Sequence, residues 1–180
     1  YSIQAKADAP AEISIYDEIG FWGVTAKQFI GDLKAIDATA IKLAINSPGG
    51  AVFDALAIYN ALRQHPANVE VTIMGVAASA ASIIAMAGDT VVMPENAFMM
   101  IHNPLNMAYG NADDLREMAD VLDKIGASLV GIYAKRTGLP EDEIKALLDA
   151  ETWLNAEEAV LKGLADELQP ELKVAASFDM

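Results

Sequence analysis

Met74-Gly75-Val76-Ala77-Ala78-Ser79-Ala80-Ala81-Ser82 is the stretch on which the reading of this 180-residue chain turns. Before it, Val69 to Met74 reads as an apolar strand; after it, Ile83-Ile84-Ala85-Met86 continues as a small-residue helix. Ser79 therefore falls on the tight turn between strand and helix. The run from Val71 to Gly88 carries no charge, which is long enough to raise the question of a membrane span. Its Ala, Gly and Ser content and its glycines at both ends favour a strand entering a buried helix instead.

Working outward, the same rhythm repeats. Ile13, Ile15 and Ile19 mark a strand-like segment, and Thr25 can cap a helix carrying Phe29, Ile30, Leu33 and Ile36. Ala40 to Ile45 is a second strand, broken by Asn46-Ser47-Pro48-Gly49-Gly50 and followed by a helix with Val52, Phe53, Leu56, Ile58, Tyr59 and Leu62, which ends near His65-Pro66. Further strands follow at Thr90-Val91-Val92-Met93 and Ala97-Phe98-Met99-Met100-Ile101. Strands alternating with helices predict an α/β fold of parallel strands and right-handed crossovers, with both sheet faces covered. Active groups in such folds gather at the carboxyl ends of strands. The Pro48-Gly49-Gly50 loop and Ser79 both lie there.

After Pro104 the pattern changes. Asn111 to Lys135 predicts one long helix with Leu115, Met118, Leu122, Ile125, Leu129, Ile132 and Tyr133 along a stripe. Acids crowd its start and Lys135-Arg136 its end, matching the helix dipole. Gly138 stops it and Pro140 opens a shorter helix. Such a helix either projects towards another subunit or packs across its own domain. Residues 1–11 read as a flexible arm, 12–170 as one domain and 171–180 as a tail.

Twelve basic against 26 acidic residues give a net charge of −14, which repels nucleic-acid phosphates and anionic lipid. No basic patch offsets it, so neither nucleic acid nor membrane is an expected partner. The absence of cysteine excludes disulfides and thiolate catalysis and fits a reducing cytoplasm. Tyr1 to Pro10 lacks the apolar core of a signal peptide.

The chemistry rests on few residues. A serine hydroxyl needs a base to attack a carbonyl, and the chain has only two histidines. His102 stands at a strand end, before Asn103-Pro104; His65, beside Pro66, reads as a helix-terminus residue. Taken singly, Ser79 is also compatible with a capping serine and His102 with a structural histidine. Ser82, one turn on, faces the sheet or an internal partner. The paired glycines of the 46–50 loop can present main-chain N–H groups to an oxyanion. For a carboxylate to orient the imidazole, Asp149 and Glu151 are the candidates, and spacing does not choose between them. Two histidines without an HExxH pattern do not suggest a metal, and no cofactor is implied.

Three motifs occurring in order, Ile45-Asn46-Ser47-Pro48-Gly49-Gly50, Gly75-Val76-Ala77-Ala78-Ser79 and Met100-Ile101-His102-Asn103-Pro104, resemble the ClpP peptidases, the Clp family of serine proteases. The likeness runs from about Ile13 to Asp166. It implies a ClpP/crotonase-like fold of β-β-α and βαβ crossover units with a protruding long helix. It also implies a serine endopeptidase with Ser79 as nucleophile, His102 as base, and Gly50 and Ala80 N–H groups as the oxyanion hole. Glu151, two places before Trp153, stands where the family carries an Asp, with Asp149 in reserve. The Ala78-Ser79-Ala80-Ala81-Ser82 run and Glu151-Thr152-Trp153 are similar to phage-encoded ClpP-like head maturation proteases, which cleave capsid or scaffold proteins. The resemblance further implies polypeptide substrates, homo-oligomeric rings, commonly heptameric and stacked in pairs through the long helix, and a possible Clp-type ATPase unfoldase. The host cytoplasm would be the compartment for a phage-encoded member.

Three rival readings remain at this level. A crotonase-type acyl-CoA enzyme would share the crossover fold and would not need the Ser79 and His102 pair. A non-catalytic ring-forming assembly protein would keep the fold alone. Ser–Lys chemistry would call on Lys42 or Lys124.

Overall fold

Ile13 and Ile15, then Ile41, Leu43 and Ile45, then Val69, Val71 and Ile73 recur at every second position, and this period builds the sheet. The computed structural model describes residues 1–4 and 9–170; the expected tail 171–180 lies outside the described residues. In chain order the elements are β1 (Ser2–Gln4), β2 (Ala11–Ile15), α1 (Ala26–Leu33), β3 (Ala40–Ser47), α2 (Val52–Gln64), β4 (Asn68–Ala78), α3 (Ala80–Ala85) and β5 (Thr90–Pro94). They continue with β6 (Phe98–Ile101), α4 (Ala112–Thr137), α5 (Glu141–Asp149), β7 (Thr152–Asn155), α6 (Ala156–Leu161) and β8 (Glu167–Gln169). The α/β crossover architecture is as the sequence predicts.

The described strands form one sheet in the order β1-β2-β3-β4-β5-β8, with β6 branching from β4 and β7 from β6. The β2-β3-β4-β5-β8 run and the β4–β6 pair are parallel, whereas β1–β2 and β6–β7 are antiparallel. The two antiparallel strands were not legible in the pattern. In particular Ser2–Gln4, within the stretch read as a flexible arm, pairs with Glu12–Ser14 as an edge strand, and the domain's first parallel strand already begins at Ala11. Tyr1 beside it stacks at a tilt on Phe29 and donates its hydroxyl to Asp32.

A second expectation is corrected. Both sheet faces were to be covered, but β2, β3 and β4 alternate buried and open side chains. Ile41, Leu43 and Ile45 are buried, as are Val69, Val71 and Ile73, each such aliphatic contributing about 1.5–3 kcal/mol. The other face carries Glu12, Lys42 and Glu70, which lie side by side in register. Opposite charges as direct cross-strand neighbours suit a solvated face. Only β5, with Val91, Val92 and Met93 all buried, reads as a strand enclosed on both sides.

Helices cover the apolar face. Thr25 caps α1 through Gln28 N–H, and α1, α2 and α3 pack in sequence against one another. The long strand β4 then changes partners: Glu70–Thr72 pair with β5, but Val76–Ala78 pair with Phe98–Met100 of β6. The switch comes at a bulge, where Ile45 pairs with Ile73 but Ser47 with Ala77. Asn46 fills the gap by accepting the Val76 N–H at 3.1 Å. Gly75 leaves room beside it, since a Cβ there would lie 2.7 Å from Asn46 Oδ1 and displace that side chain.

α4 ends at Gly138 in the left-handed conformation, as its sequence predicts, and begins at an Asn111 capping box. No residue in 112–128 is buried; only Leu129 and Tyr133 are anchored in the core. The helix therefore projects. Among the described residues no helix is long and apolar enough to cross a membrane, and the uncharged run beginning at Val71 is divided between β4 and the buried α3.

Candidate active site

Parallel pairing of β4 with β6 is what brings the two predicted residues together. Ala78 and Met100 are partners, and the Ser79 N–H donates to the Met100 carbonyl at 2.9 Å, extending the ladder by one step. Ser79 and His102 thus emerge at adjacent strand ends. His102 Nε2 lies 2.7 Å from Ser79 Oγ, with the imidazole 14 % exposed. Ser79 occupies the N-cap position of α3, yet its side chain makes no capping bond. Its φ of 53° and ψ of −124° lie outside the regions that side-chain residues ordinarily adopt. Strain of this kind is held in place only by surrounding structure, and about 1–3 kcal/mol is its usual cost.

The glycine loop closes on the same point from β3. The Ile19 N–H donates to the Gly49 carbonyl at 2.7 Å and the Ala51 N–H to the Ile19 carbonyl at 2.8 Å, so the chain is clamped on both sides of Gly50 while the Gly50 N–H takes no part. Gly50 has φ 141°, and a Cβ there would meet the Ile19 carbonyl oxygen at 2.1 Å. Gly49 has φ 96°, and its Cβ would lie within 2.5 Å of the Ala78 oxygen and 2.8 Å of Ser79 Cβ. Gly49 was not singled out in the sequence as a residue touching Ser79; the close approach explains it. Buried Ser47 shapes the loop by donating to the Asp17 carbonyl and accepting from the Gly49 N–H. Among the described residues, neither Gly50 nor Ala80 has its N–H paired with a protein acceptor.

A cavity of about 490 Å³ opens here, lined by Ser79, His102, Gly50, Phe53, Ile83 and Tyr133 among others, with more apolar than polar surface. Ser82 faces inward as expected, bonded to the Ser79 carbonyl at 2.6 Å and to the Tyr133 hydroxyl at 2.7 Å.

The two candidate acids part company. β7 runs antiparallel to β6 with Ile101 opposite Thr152, so the next step of that ladder sets His102 beside Glu151. Glu151, at φ 48°, places Oε2 at 3.9 Å from His102 Nδ1 with its side chain 61 % exposed. That is beyond hydrogen-bond reach. Asp149 does not face the imidazole at all. It pairs with Lys145 at 2.9 Å and accepts from Asn103 at 2.7 Å, and these bonds hold its carboxyl below the usual range. Neither lysine of the Ser–Lys reading reaches Ser79: Lys42 stands between Glu12 and Glu70 on the open face, and Lys124 is exposed on α4. His65 caps the end of α2 and receives the Ala67 N–H, as its position predicts. The described residues hold no cluster of His and acidic side chains fit for a metal.

An α/β crossover sheet thus brings a serine and an imidazole to neighbouring strand ends, beside free main-chain amides. The family comparison agrees: the Clp protease family model matches residues 2–171, and the chain belongs to that family. It is 36% identical over 131 residues to the ATP-dependent Clp protease proteolytic subunit of Deinococcus radiodurans, an alignment covering 71% of this chain and 64% of that protein. The chain thus spans somewhat less than two thirds of that relative's length.

Proposed function

We propose that this chain is a serine endopeptidase of the Clp type, with Ser79 as nucleophile and His102 as general base. The 2.7 Å approach of His102 Nε2 to Ser79 Oγ, at the wall of a cavity, carries the reading. With its proton on Nδ1, towards Glu151, the imidazole accepts the Ser79 proton as Oγ attacks the peptide carbonyl carbon. The carbonyl oxygen gains negative charge beside the Gly50 and Ala80 N–H groups. The imidazolium then protonates the leaving amine, and water releases the acyl group by the reverse roles. Glu151 is the carboxylate placed to stabilise the cation, acting across a gap rather than through a bond in this conformation. The close Ser79–His102 contact favours this reading over an acyl-CoA enzyme or a purely structural ring protein, neither of which requires it.

The family also supports a finer reading. Copies of the chain would form rings, commonly heptameric, stacked in pairs through the exposed stripe of α4, enclosing the sites so that only unfolded or threaded polypeptide reaches them. The relative's name, a proteolytic subunit of an ATP-dependent protease, supports an ATPase partner that delivers substrate. Processing of phage capsid or scaffold proteins in a host cytoplasm is the most specific form of this proposal, carried by the likeness at residues 78–82 and 151–153 alone.

Ser79→Ala is the test. It should abolish cleavage of a fluorogenic peptide, by more than about a thousandfold, and labelling by a fluorophosphonate, with an unchanged thermal midpoint. Labelling retained on another serine would overturn the assignment.

A further inference from the structure

Tyr133 sits in the core at 1% exposure, with its hydroxyl buried alongside its ring. Its hydroxyl lies 2.7 Å from Ser82 Oγ, and Ser82 is one of two polar residues in the described core. The other, Ser47, is accounted for by its loop. Burying a hydroxyl is unfavourable unless a hydrogen bond compensates, so the pair calls for a reason.

The direction of the bonds supplies one. Ser82 Oγ lies 2.6 Å from the Ser79 carbonyl oxygen, which can only accept. A hydroxyl has one proton, and that of Ser82 points to Ser79. The Tyr133 proton must therefore point to Ser82. Burial pushes the Tyr133 hydroxyl above its ordinary range, in keeping with its role as donor. The chain of bonds has a single sense, from Tyr133 through Ser82 to the Ser79 carbonyl, where the Ser82 N–H also arrives at 3.0 Å.

That carbonyl shares its peptide plane with the N–H of Ala80. A planar peptide held at its oxygen is held at its nitrogen as well, and bonds donated to the oxygen polarise the N–H at the other end. We propose that Tyr133 and Ser82 are positioning residues for the oxyanion hole: they fix and polarise the Ser79–Ala80 peptide so that the Ala80 N–H is aimed at the charge that develops during acyl transfer. The inference rests on the proposed reading of Ser79 as nucleophile. It also accounts for the maintained strain at Ser79, since two donors pin the carbonyl that its unusual ψ directs.

Tyr133→Phe, Ser82→Ala and the double variant in the full chain test it, with Ser79→Ala alongside. Three quantities are read: kcat and KM on a fluorogenic peptide, affinity for a peptide aldehyde, whose adduct carries the oxyanion, and the thermal midpoint. Tyr133→Phe should lower kcat by about threefold to tenfold, less than removal of an oxyanion donor itself, with KM unchanged and aldehyde affinity falling by the same factor. The double variant should be no slower than Ser82→Ala, because the two groups act in series. Unaltered kcat and aldehyde affinity in Tyr133→Phe, or losses that multiply in the double variant, would overturn the relay. A lowered midpoint with full kcat per folded molecule would reduce the pair to packing and do the same. Should Ser82→Ala fail to fold, Tyr133→Phe decides alone, since it leaves the Ser82 bond intact. Cleavage surviving Ser79→Ala would instead remove the nucleophile reading, and the relay with it.

Discussion

Across residues 80–88 every side chain is buried, whereas across 112–128 none is. The first segment carries the turn on which Ser79 stands, with strands, the glycine loop and the foot of α4 closing around it. The second is the outer part of α4, where Leu115 and Val121 are 46% and 39% exposed and Met118, Leu122 and Ile125 are half-buried. The first stretch is apolar on every side and the second along one stripe; they differ in whether this chain supplies the partner. Around Ser79 it does, so the contact of Ser79 with His102 is formed within one copy. Along α4 it does not, and a helix with an apolar stripe left uncovered is the part of the molecule from which assembly would be built.

Gly49→Ala strikes the closed region hardest. Its Cβ would enter the space of the Ala78 carbonyl and Ser79 Cβ, so the loop must move away from Ser79. Peptidase activity should fall by about a hundredfold or more, as for loss of an oxyanion donor. Activity near that of the unaltered protein would show that the loop does not shape the site.

Leu115→Asp combined with Val121→Asp addresses the open region. It should abolish higher assemblies in sedimentation velocity while leaving the circular dichroism spectrum and fluorophosphonate labelling of Ser79 intact. Labelling lost together with assembly would mean that the two regions are coupled and the closed site is completed by a neighbour.

Glu151→Gln comes next in size. At 3.9 Å and mostly exposed, the carboxylate is screened, so kcat should drop about tenfold rather than by the roughly ten-thousandfold that loss of a buried, bonded aspartate can cause. A drop of the larger size would show that Glu151 closes on His102 during turnover.

Ser79→Gly against Ser79→Ala is the smallest effect. Both should be inactive, but glycine relieves the φ of 53°, and its midpoint in urea should correspond to about 1 kcal/mol greater stability. Equal stabilities would mean that the turn carries no strain.

Much of this was legible beforehand, for reasons specific to each element. Thr25, Gly138 and the Asn111 start announce helix ends because caps satisfy local main-chain groups and need no distant partner. Ser79 and His102 stand out because each is a polar residue ending an apolar strand. The open sheet face left a signal too, in the alternation of Glu12, Lys42 and Glu70, but only register shows that the three lie side by side. Strands β1 and β7 are three and four residues long. Such segments have no periodicity of their own and exist through the neighbour they pair with. Tyr133 looked like one more member of a helical stripe, and nothing along the chain links it to Ser82 or to the peptide of Ser79.

By itself the sequence determined the crossover fold, the turn on which Ser79 stands and the candidate base, since these follow from local pattern and from having few alternatives. The fold decided what depends on separations of a few tenths of an ångström: which acid faces His102, how closely Gly49 approaches Ser79, and what holds the Ser79 carbonyl. Residues far apart in the chain meet through strand register and helix packing, and hydrogen-bond strength falls off too steeply with distance and angle for composition to foretell which of them bond.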